Sequence, residues 1–267
     1  MLTSLSLSAT IGVVDDPIAK PLTRRERIRA QTITEIKDIA RRHLAVEGAA
    51  ALSLRAVARD LGVVSSAVYR YFPSRDDLLT ALIVDAYDES GAAVEAADAR
   101  CEHDDIVGRW RAVANALRDW AVANPSSYAL VYGSPVPGYH APGERTIGPA
   151  IRTTRTLVNI LADASRADAL DDQRSAAIAP GLMNELTRVG TGLDVSFTAE
   201  VAARGLTAWS FLIGAITLDL FGQLNNVIDD RAALFAHEIE RIALHLVGVK
   251  PVAALPTRAV VRRAGRA

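Results

Sequence analysis

The chain has 267 residues, of which 50% are apolar, 5% aromatic and 23% charged, and its formal net charge at pH 7 is −1. This length is sufficient for one large or two modest domains with a sizeable core. The alanine-rich apolar composition favours helices over sheet. The single cysteine, Cys101, excludes an internal disulfide framework and fits a reducing compartment.

The N-terminal stretch is not expected to be an export signal. The first twenty residues lack a basic n-region, and Asp15 and Asp16 stand where an apolar core should continue, so we expect residues 1–20 to be a disordered leader. The longest apolar run, Ala208–Leu218, is shorter than the roughly 20 residues that a transmembrane helix needs. We therefore expect a cytoplasmic protein without a membrane partner.

The segment from Lys20 to Leu82 is basic, with twelve Lys and Arg residues against seven Asp and Glu residues, a net charge of +5. It begins with a helix predicted from Arg24 to about Val46. Three arginines at the start of this helix oppose its dipole, which favours a role at DNA phosphates or in a minor groove; a solvated helix start is the alternative. These arginines are Arg24, Arg25 and Arg27.

The stretch from Ser53 to Asp77 predicts two short helices joined by a glycine turn. Ser53 is a plausible N-cap of the first helix, and Gly62 can adopt the positive φ of the turn. The second helix is predicted over residues 65–72, where Pro73 stops it. Two short helices at a steep angle, the second polar and aromatic on its outer side, are typical of a DNA-reading helix-turn-helix.

The run LGVVSSAVYRYFPSRDDLL, from Leu61 to Leu79, resembles the N-terminal domain of TetR-family transcriptional regulators. The resemblance is strong over roughly residues 24 to 82. It implies an all-helical homodimer that binds a palindromic operator and releases it when a small molecule enters the C-terminal domain. One position departs from the family pattern, because Val64 stands where a Ser or Thr usually caps the recognition helix. Either Ser65 takes over this cap or the helix starts frayed.

Side-chain reach assigns roles within the recognition helix. Ser65 and Ser66 can approach DNA closely at its N-terminus, and Arg70 can reach a guanine edge or a phosphate. The hydroxyls of Tyr69 and Tyr71 suit phosphates, with core packing as the alternative for one of them. The family resemblance also implies a phosphate contact for Arg75. The full predicted DNA-binding set is Arg24, Arg25, Arg27, Ser53, Ser65, Ser66, Tyr69, Arg70, Tyr71 and Arg75.

Beyond this unit, a helix is predicted from Arg75 to about Ala97, followed by a polar connector that ends at Asp105. The acids and the histidine of this connector indicate a solvated segment more than a metal site, so we expect no metal. A strong helix is then predicted over Ile106–Ala123, and a short turn or helix over Ser126–Tyr132.

The segment Gly133–Pro149 is rich in proline and glycine and is long for a loop in a compact domain, which suggests function or mobility. A similar Gly-x-Pro-x-Pro-Gly-Tyr segment occurs in the ligand-sensing domain of one TetR-family branch. Within it, Tyr139 and His140 either gate a pocket or attach the loop to the rest of the domain.

Four further helices are predicted, at Pro149–Ala167, Ala176–Val189, Thr198–Gly222 and Asp230–Val247, the second with an interruption at Pro180 and Gly181. The Thr198–Gly222 helix is apolar all round, so it must be covered on every side. The resemblance implies that residues 198–222 and 230–247 pair with their symmetry mates in a four-helix homodimer bundle.

Three tryptophans lie in the C-terminal region beside the Pro/Gly loop, which predicts a site for a mostly apolar small-molecule effector. The predicted lining is Trp110, Trp120, Tyr128, Tyr139, His140, Met183 and Trp209. No Gly-rich phosphate loop, Ser-His-Asp arrangement or paired carboxylates stand out, so we expect neither an enzyme nor a bound cofactor.

Taken together, these patterns predict an all-α protein with four segments: a disordered leader at 1–20, a helix-turn-helix DNA-binding domain at 21–82, a helical ligand-binding and dimerisation domain at 83–249, and a disordered basic tail at 250–267. The predicted function is a ligand-responsive regulator, a repressor in the first instance, that binds duplex operator DNA. Two alternatives stay open: an activator of the same fold, and a small-molecule-binding or hydrolytic helical protein with a vestigial helix-turn-helix.

Overall fold

The structure is a computed structural model that describes residues 23–171, 177–193, 198–246 and 248–249. The predicted leader and basic tail lie outside these residues. Over the described part the chain is built from helices, and the only extended pairing there is an isolated bridge between Leu170 and Val249. The predicted all-α fold class is confirmed.

The described helices number ten, with one 3-10 turn at Ala49–Ala51 and a π-helical turn at Ile242–Leu246. They are α1 Arg24–Glu47, α2 Leu54–Asp60, α3 Ser65–Tyr69, α4 Arg75–Asp98, α5 Ile106–Ala123, α6 Pro125–Tyr132, α7 Gly143–Arg166, α8 Pro180–Leu193, α9 Ala199–Leu220 and α10 Arg231–Arg241.

Most helix starts follow from capping side chains. Thr23 and Glu26 form a reciprocal capping box at the start of α1, with each side chain accepting from the other residue's N–H. Ser74 and Thr198 cap α4 and α9, because their hydroxyls accept from backbone N–H groups in the first turns of these helices. Asp230 caps α10 in the same way.

Two helix boundaries correct the sequence predictions. The Pro/Gly loop does not extend to Pro149: α7 begins at Gly143, and Pro149 lies inside it. Thr146, in this early part of α7, is buried, so burial of these first turns outweighs the helix-breaking tendency of the proline. Helix α8 starts at Pro180, after the non-helical residues 177–179, because proline needs no N–H partner at the first helical position; the predicted start at Ala176 lies outside the described residues.

The buried apolar side chains form two clusters. One lies among α1, α2, α3 and the first turns of α4, and we call this part of the molecule the head. The other lies among the rest of α4 and helices α5, α6, α7, α9 and α10. Helix α4 supplies both, with Leu78, Leu79 and Leu82 in the first cluster and Ala86 and Val94 in the second. The head is therefore joined to the larger helical body by one continuous helix.

Helix α7 packs closely along α4 at Gly91. A Cβ at this glycine would lie 2.8 Å from the Cβ of Arg152, so only glycine allows this approach. The Arg152 guanidinium spans Gly91 and pairs with Asp88 at 2.8 Å and Glu95 at 2.6 Å. Its hydrogen bond to Glu95 holds the pKa of that carboxyl below its usual range.

Helix α9 is long and apolar enough to cross a bilayer by length and composition alone. The predicted apolar run Ala208–Leu218 is therefore the middle of a longer apolar helix. In the structure α9 packs against α5, α7, α8 and α10, and it carries the buried Arg204 and Asp219. Asp219 accepts from Arg118 at 2.8 Å, as expected for a helix in the core of a helical domain.

The Arg109 side chain is the centre of a buried ion-pair cluster. It is 5% exposed, donates to Asp98 at 2.7 and 3.0 Å, and donates to Asp163 at 2.7 Å. The hydrogen bonds to Asp98, followed by the one to Asp163, raise the pKa of this guanidinium above its ordinary value. Because Asp163 is also buried, removing Arg109 leaves this carboxylate in the core with the largely exposed Arg166 as an ionic partner.

We expect Arg109→Met to lower the free energy of unfolding by about 3 kcal/mol, because breaking a buried pair costs more than the pair contributes. The matched control is Arg111→Met on the same helix, whose exposed pair with Glu240 should cost less than about 1 kcal/mol. Unfolding in guanidinium chloride, followed by circular dichroism, measures the free energy of unfolding of both variants. Equal losses for the two variants would contradict this account.

Candidate DNA-binding face and ligand pockets

The helix-turn-helix is formed by α2, a turn at Gly62 and α3. Leu54 and Val57 bury one face of α2, and Val68 and Phe72 anchor α3 and the segment after it. Gly62 has a φ of 74°, which a glycine adopts without strain. Ser53 occupies the N-cap position of α2, although its side chain makes no capping hydrogen bond there.

Helix α3 is shorter than the sequence suggests, spanning Ser65–Tyr69 and not reaching Phe72. Val64 occupies the N-cap position with an extended backbone, and Ser65 is the first helical residue. The alternative in which Ser65 takes over the cap is therefore wrong, because the cap position keeps a side chain that cannot accept a hydrogen bond.

One depression on the head brings the start of α1 against the end of the recognition helix, and we call it the basic face. It is about 470 Å³ in volume. Its lining is Arg24, Arg25, Ile28, Arg29, Arg70 and Tyr71. Four of these six residues belong to the DNA-binding set predicted from sequence. Ser66 and Tyr69 are exposed on α3, and Arg27 is exposed on α1.

The arginines of the basic face carry uncompensated charge. Within the described residues, Arg24, Arg25 and Arg70 form no ion pair. Farther along α1, by contrast, Lys37 pairs with Asp85 at 2.7 Å, and Arg41 pairs with Asp85 and Glu89 of α4. The cations toward the C-terminal end of α1 thus bind α4, whereas Arg24 and Arg25 at its start keep an exposed positive charge.

Arg29 is a residue of this face that sequence reasoning missed. Its guanidinium lies 5.1 Å from the centroid of the Tyr71 ring, a cation–π contact that holds the tyrosine against α1. The signal available in the sequence was spacing, because Arg25 and Arg29 are four residues apart on one helix and therefore share a face.

Arg75 has partners inside the head. It donates to the backbone carbonyls of Ala49 at 2.8 Å and Ala50 at 3.2 Å, and so fastens the start of α4 to the turn that follows α1. Its contact with phosphate, which the family resemblance implies, stays a prediction.

Of the residues predicted to line a ligand site, Tyr139 lines one of the two cavities described below, and the other predicted residues line neither of these two. Trp110, Trp120 and Tyr128 are buried in the body. The indole N–H of Trp110 donates to the carbonyl of Ile239 at 2.9 Å, a structural role. Met183 is exposed on α8, and His140 is exposed on the loop before α7.

An aromatic cluster that the sequence did not reveal centres on Tyr132. Its ring centroid lies 5.0 Å from that of Tyr128, 5.8 Å from that of Trp209 and 6.1 Å from that of Tyr87. The Tyr132 hydroxyl is buried without a hydrogen-bond partner in the described residues, and so is the indole N–H of Trp120. Burial raises the pKa of Tyr132 well above its usual range.

Two cavities flank the loop of residues 133–142, which we call the connecting loop. The first, about 510 Å³, lies between the end of α1 with its following turn and α6, and we call it the crevice. The second, about 290 Å³, lies among α4, α6, α7 and the loop, and we call it the loop pocket. Leu130, Pro135 and Val136 line both.

The connecting loop is attached directly to the head. The Tyr139 hydroxyl lies 2.8 Å from the Thr80 hydroxyl of α4, and Val136 and Tyr139 pack against the apolar core of the head. Just beyond the loop, Arg145 pairs with Asp77 at 3.3 Å. Tyr139 thus attaches the loop and also lines the loop pocket, whereas His140 lines neither cavity.

The polar connector between α4 and α5 has structural contacts. Asp105 caps α5 by accepting from the Gly108 N–H, and His103 lies 3.7 Å from Asp163. Among the residues that the structure describes, no three His, Cys, Asp or Glu side chains are grouped so that they could hold a metal ion.

Comparisons with known proteins agree with this architecture. Residues 36–82 match the family described as bacterial regulatory proteins, tetR family, and residues 110–242 match the tetracyclin repressor-like C-terminal domain. The chain is 39% identical over 218 residues to the HTH-type transcriptional regulators Rv1816 of Mycobacterium tuberculosis and Mb1846 of Mycobacterium bovis. Each alignment covers 79% of this chain and 91% of the relative.

Solved structures show the same fold. The crystal structure of a regulatory protein, SCO4313, superimposes with a TM-score of 0.67 at 35% identity and covers 82% of this chain and 98% of its own. A regulatory protein of the tetR family from Rhodococcus RHA1 superimposes with a TM-score of 0.57 at 19% identity, covering 83% and 99%.

A helical head with a helix-turn-helix and a larger helical body define a DNA-binding transcriptional regulator. The chain belongs to the TetR family of transcriptional regulators. The matched relatives are named as regulators and not as enzymes.

We expect Arg29→Gln to weaken binding to all duplex sequences alike, because Arg29 holds Tyr71 and adds positive charge but does not lie on the recognition helix. The slope of log affinity against log salt should fall by about one if the guanidinium also contacts a phosphate. The matched control is Arg42→Gln, an exposed arginine of the same helix about 20 Å farther along its axis.

Electrophoretic shift titrations at several salt concentrations measure these affinities. A double-mutant cycle with Tyr71→Leu should show that the two substitutions are not additive, because the side chains are in contact. Additive effects would mean that Arg29 does not act through Tyr71.

Proposed function

We propose that the chain is a homodimeric repressor that binds a palindromic duplex operator through the basic face and α3 and is released by a small molecule. The observation that carries this proposal is the basic face, where unpaired arginines of α1 meet Arg70 and Tyr71 beside the recognition helix. We assign DNA binding to residues 21–82 and ligand binding and dimerisation to residues 83–249. A cytoplasmic location follows from this function.

Phosphate contacts and base contacts should come from different helices, α1 and α3. Arg24, Arg25 and Arg27 lie at the start of α1 and supply charge for phosphates, which fixes position but carries no sequence information. Arg70 follows the recognition helix directly, and its length allows it to reach a guanine edge. In a dimer the two recognition helices must lie roughly 34–36 Å apart to enter successive major grooves.

We expect Arg70→Ala to relax sequence preference by about 1–3 kcal/mol at one base pair of the selected site, whereas Tyr71→Phe should weaken all sequences equally. Selection from random duplexes followed by shift titration measures both effects. Wild-type protein that shifts no selected duplex at low salt would refute DNA binding by this face.

The dimer proposal rests on an outward seam of α9. Thr207, Phe211, Gly214, Leu218 and Phe221 recur at intervals of four and three residues, the spacing of a helix-packing stripe. Phe211, Leu218 and Phe221 are 37–46% exposed. A Cβ at Gly214 would meet no atom within 4 Å, so this side of the helix is open for a close approach. A second copy of α9 would cover an apolar stripe that one chain leaves open.

We expect Leu218→Glu to dissociate the dimer, because the charge would lie in a dry interface. The nearby Ile216 is not suited to this test, because it is 1% exposed within its own chain and a charge there would unfold the body. Val122→Glu, at an exposed position of α5, is the control. Sedimentation equilibrium measures the mass, and a stable wild-type monomer at micromolar concentration would overturn the dimer.

A mostly apolar effector is supported by the aromatic cluster around Tyr132 and by the cavities beside the connecting loop. For release, the effector must bind the DNA-free arrangement more tightly than the DNA-bound one, and operator must then weaken effector binding by the same factor. Repression is the role that this release mechanism serves most directly, since a bound dimer obstructs the operator until the effector arrives.

A further inference from the structure

The crevice is a cavity at the joint between the head and the body, outside the region of the predicted tryptophan-lined site. Its volume of about 510 Å³ falls within the range of about 300–1,000 Å³ that is typical of small-molecule sites. One wall is the end of α1 and the turn after it, at Leu44 and Ala49. The opposite wall is α6 and the connecting loop, and Phe221 at the end of α9 closes one side.

The crevice lining identifies the chemistry of its occupant. None of the side chains that line it is charged, and the side-chain polar groups are the hydroxyls of Ser126 and Ser134. A charged molecule would lose its hydration there without an ionic partner. A neutral, largely apolar molecule with one or two hydrogen-bonding groups matches this surface.

One face of α6 forms the floor of the crevice. Ser126, Ala129, Leu130 and Gly133 line it, and their spacing of three, one and three residues places them on a single helix face. The Ala129 side chain is small, so it leaves the cavity open above this part of the floor. A larger side chain at this position would occupy the cavity.

The crevice is placed to couple its occupant to the head. The carbonyls of Ala49 and Ala50, in the turn that forms one wall, hold Arg75 at the start of α4. The loop that forms the other wall is attached to α4 through Tyr139 and Thr80. A molecule between these walls therefore contacts the elements that set the orientation of the head on the body.

We propose that the crevice binds a neutral, apolar small molecule and that its occupancy lowers the affinity of the protein for duplex DNA. This assignment rests on the proposed function, since it places the effector of that regulator at the joint between head and loop. The occupant stabilises one arrangement of the head, and DNA binds another. Each ligand therefore lowers the affinity for the other, although they bind at different sites.

The test uses Prodan, a neutral fluorophore whose emission shifts to the blue in an apolar site, with full-length protein. Ala129→Phe should weaken Prodan binding by about tenfold or more, because the phenyl ring fills the floor of the cavity. Ser126→Glu should weaken it similarly by adding charge, and an acidic residue in the first turn of α6 is compatible with the helix. Ala123→Phe, at an exposed position outside the lining, is the matched control and should bind Prodan as wild type does.

Coupling is measured on the same proteins with a duplex selected by wild-type protein. Saturating Prodan should raise the duplex dissociation constant of wild type and Ala123→Phe by about fivefold or more, and should not change that of Ala129→Phe or Ser126→Glu. Circular dichroism confirms that each variant is folded before its binding is interpreted.

The outcomes separate the two proposals. Wild-type protein that binds duplex but binds no Prodan, or binds it equally in all variants, overturns the crevice as the effector site and leaves DNA binding intact. Prodan binding in the crevice without an effect on the duplex also overturns the proposal. Failure of wild-type protein to bind any duplex in the absence of Prodan refutes the proposed function itself.

Discussion

The close contact of α7 with α4 at Gly91 is the constraint on which the placement of the other elements depends. A side chain at this position would push the helices apart by clashing with Arg152, and the ion pairs of Arg152 with Asp88 and Glu95 would be lost with it. Because α7 is held along α4, the connecting loop that precedes α7 lies against the head. The Tyr139 hydroxyl then meets Thr80, and Arg145 meets Asp77. The head is thus held from two directions, by the continuity of α4 and by this loop.

Charge is distributed over the molecule by pairing and not by composition alone. The chain has a formal net charge of −1, yet the arginines at the start of α1 and at the end of the recognition helix face solvent together. Toward the other end of α1, Lys37 and Arg41 are neutralised by carboxylates of α4. Local pairing therefore concentrates the positive field at one end of the head, where a polyanion can bind with strong salt dependence.

The body shows why aromatic composition is a poor guide to a binding site. Trp110 is buried in the core, and its indole N–H donates to the carbonyl of Ile239. Its presence in the sequence therefore indicates a core more than a pocket. The cavities lie instead beside small and aliphatic residues, where the connecting loop meets α1, α4 and α6. Cavities form where packed helices and loops leave space between them, and a sequence pattern at single residues does not predict where this happens.

The sequence by itself determined the helix-turn-helix, because Gly62 supplies the positive φ of its turn and helical spacing buries Val57 and Val68 on the inner faces of its two helices. It also determined the apolar faces of α5 and α10, where helical spacing places Leu117 and Ile239 in the core. Only the tertiary structure decided that Arg29 holds Tyr71, that Arg75 binds the turn after α1, and that α7 continues through Pro149. These features depend on contacts between segments far apart in the chain, and their energies outweigh the local preferences that sequence patterns report.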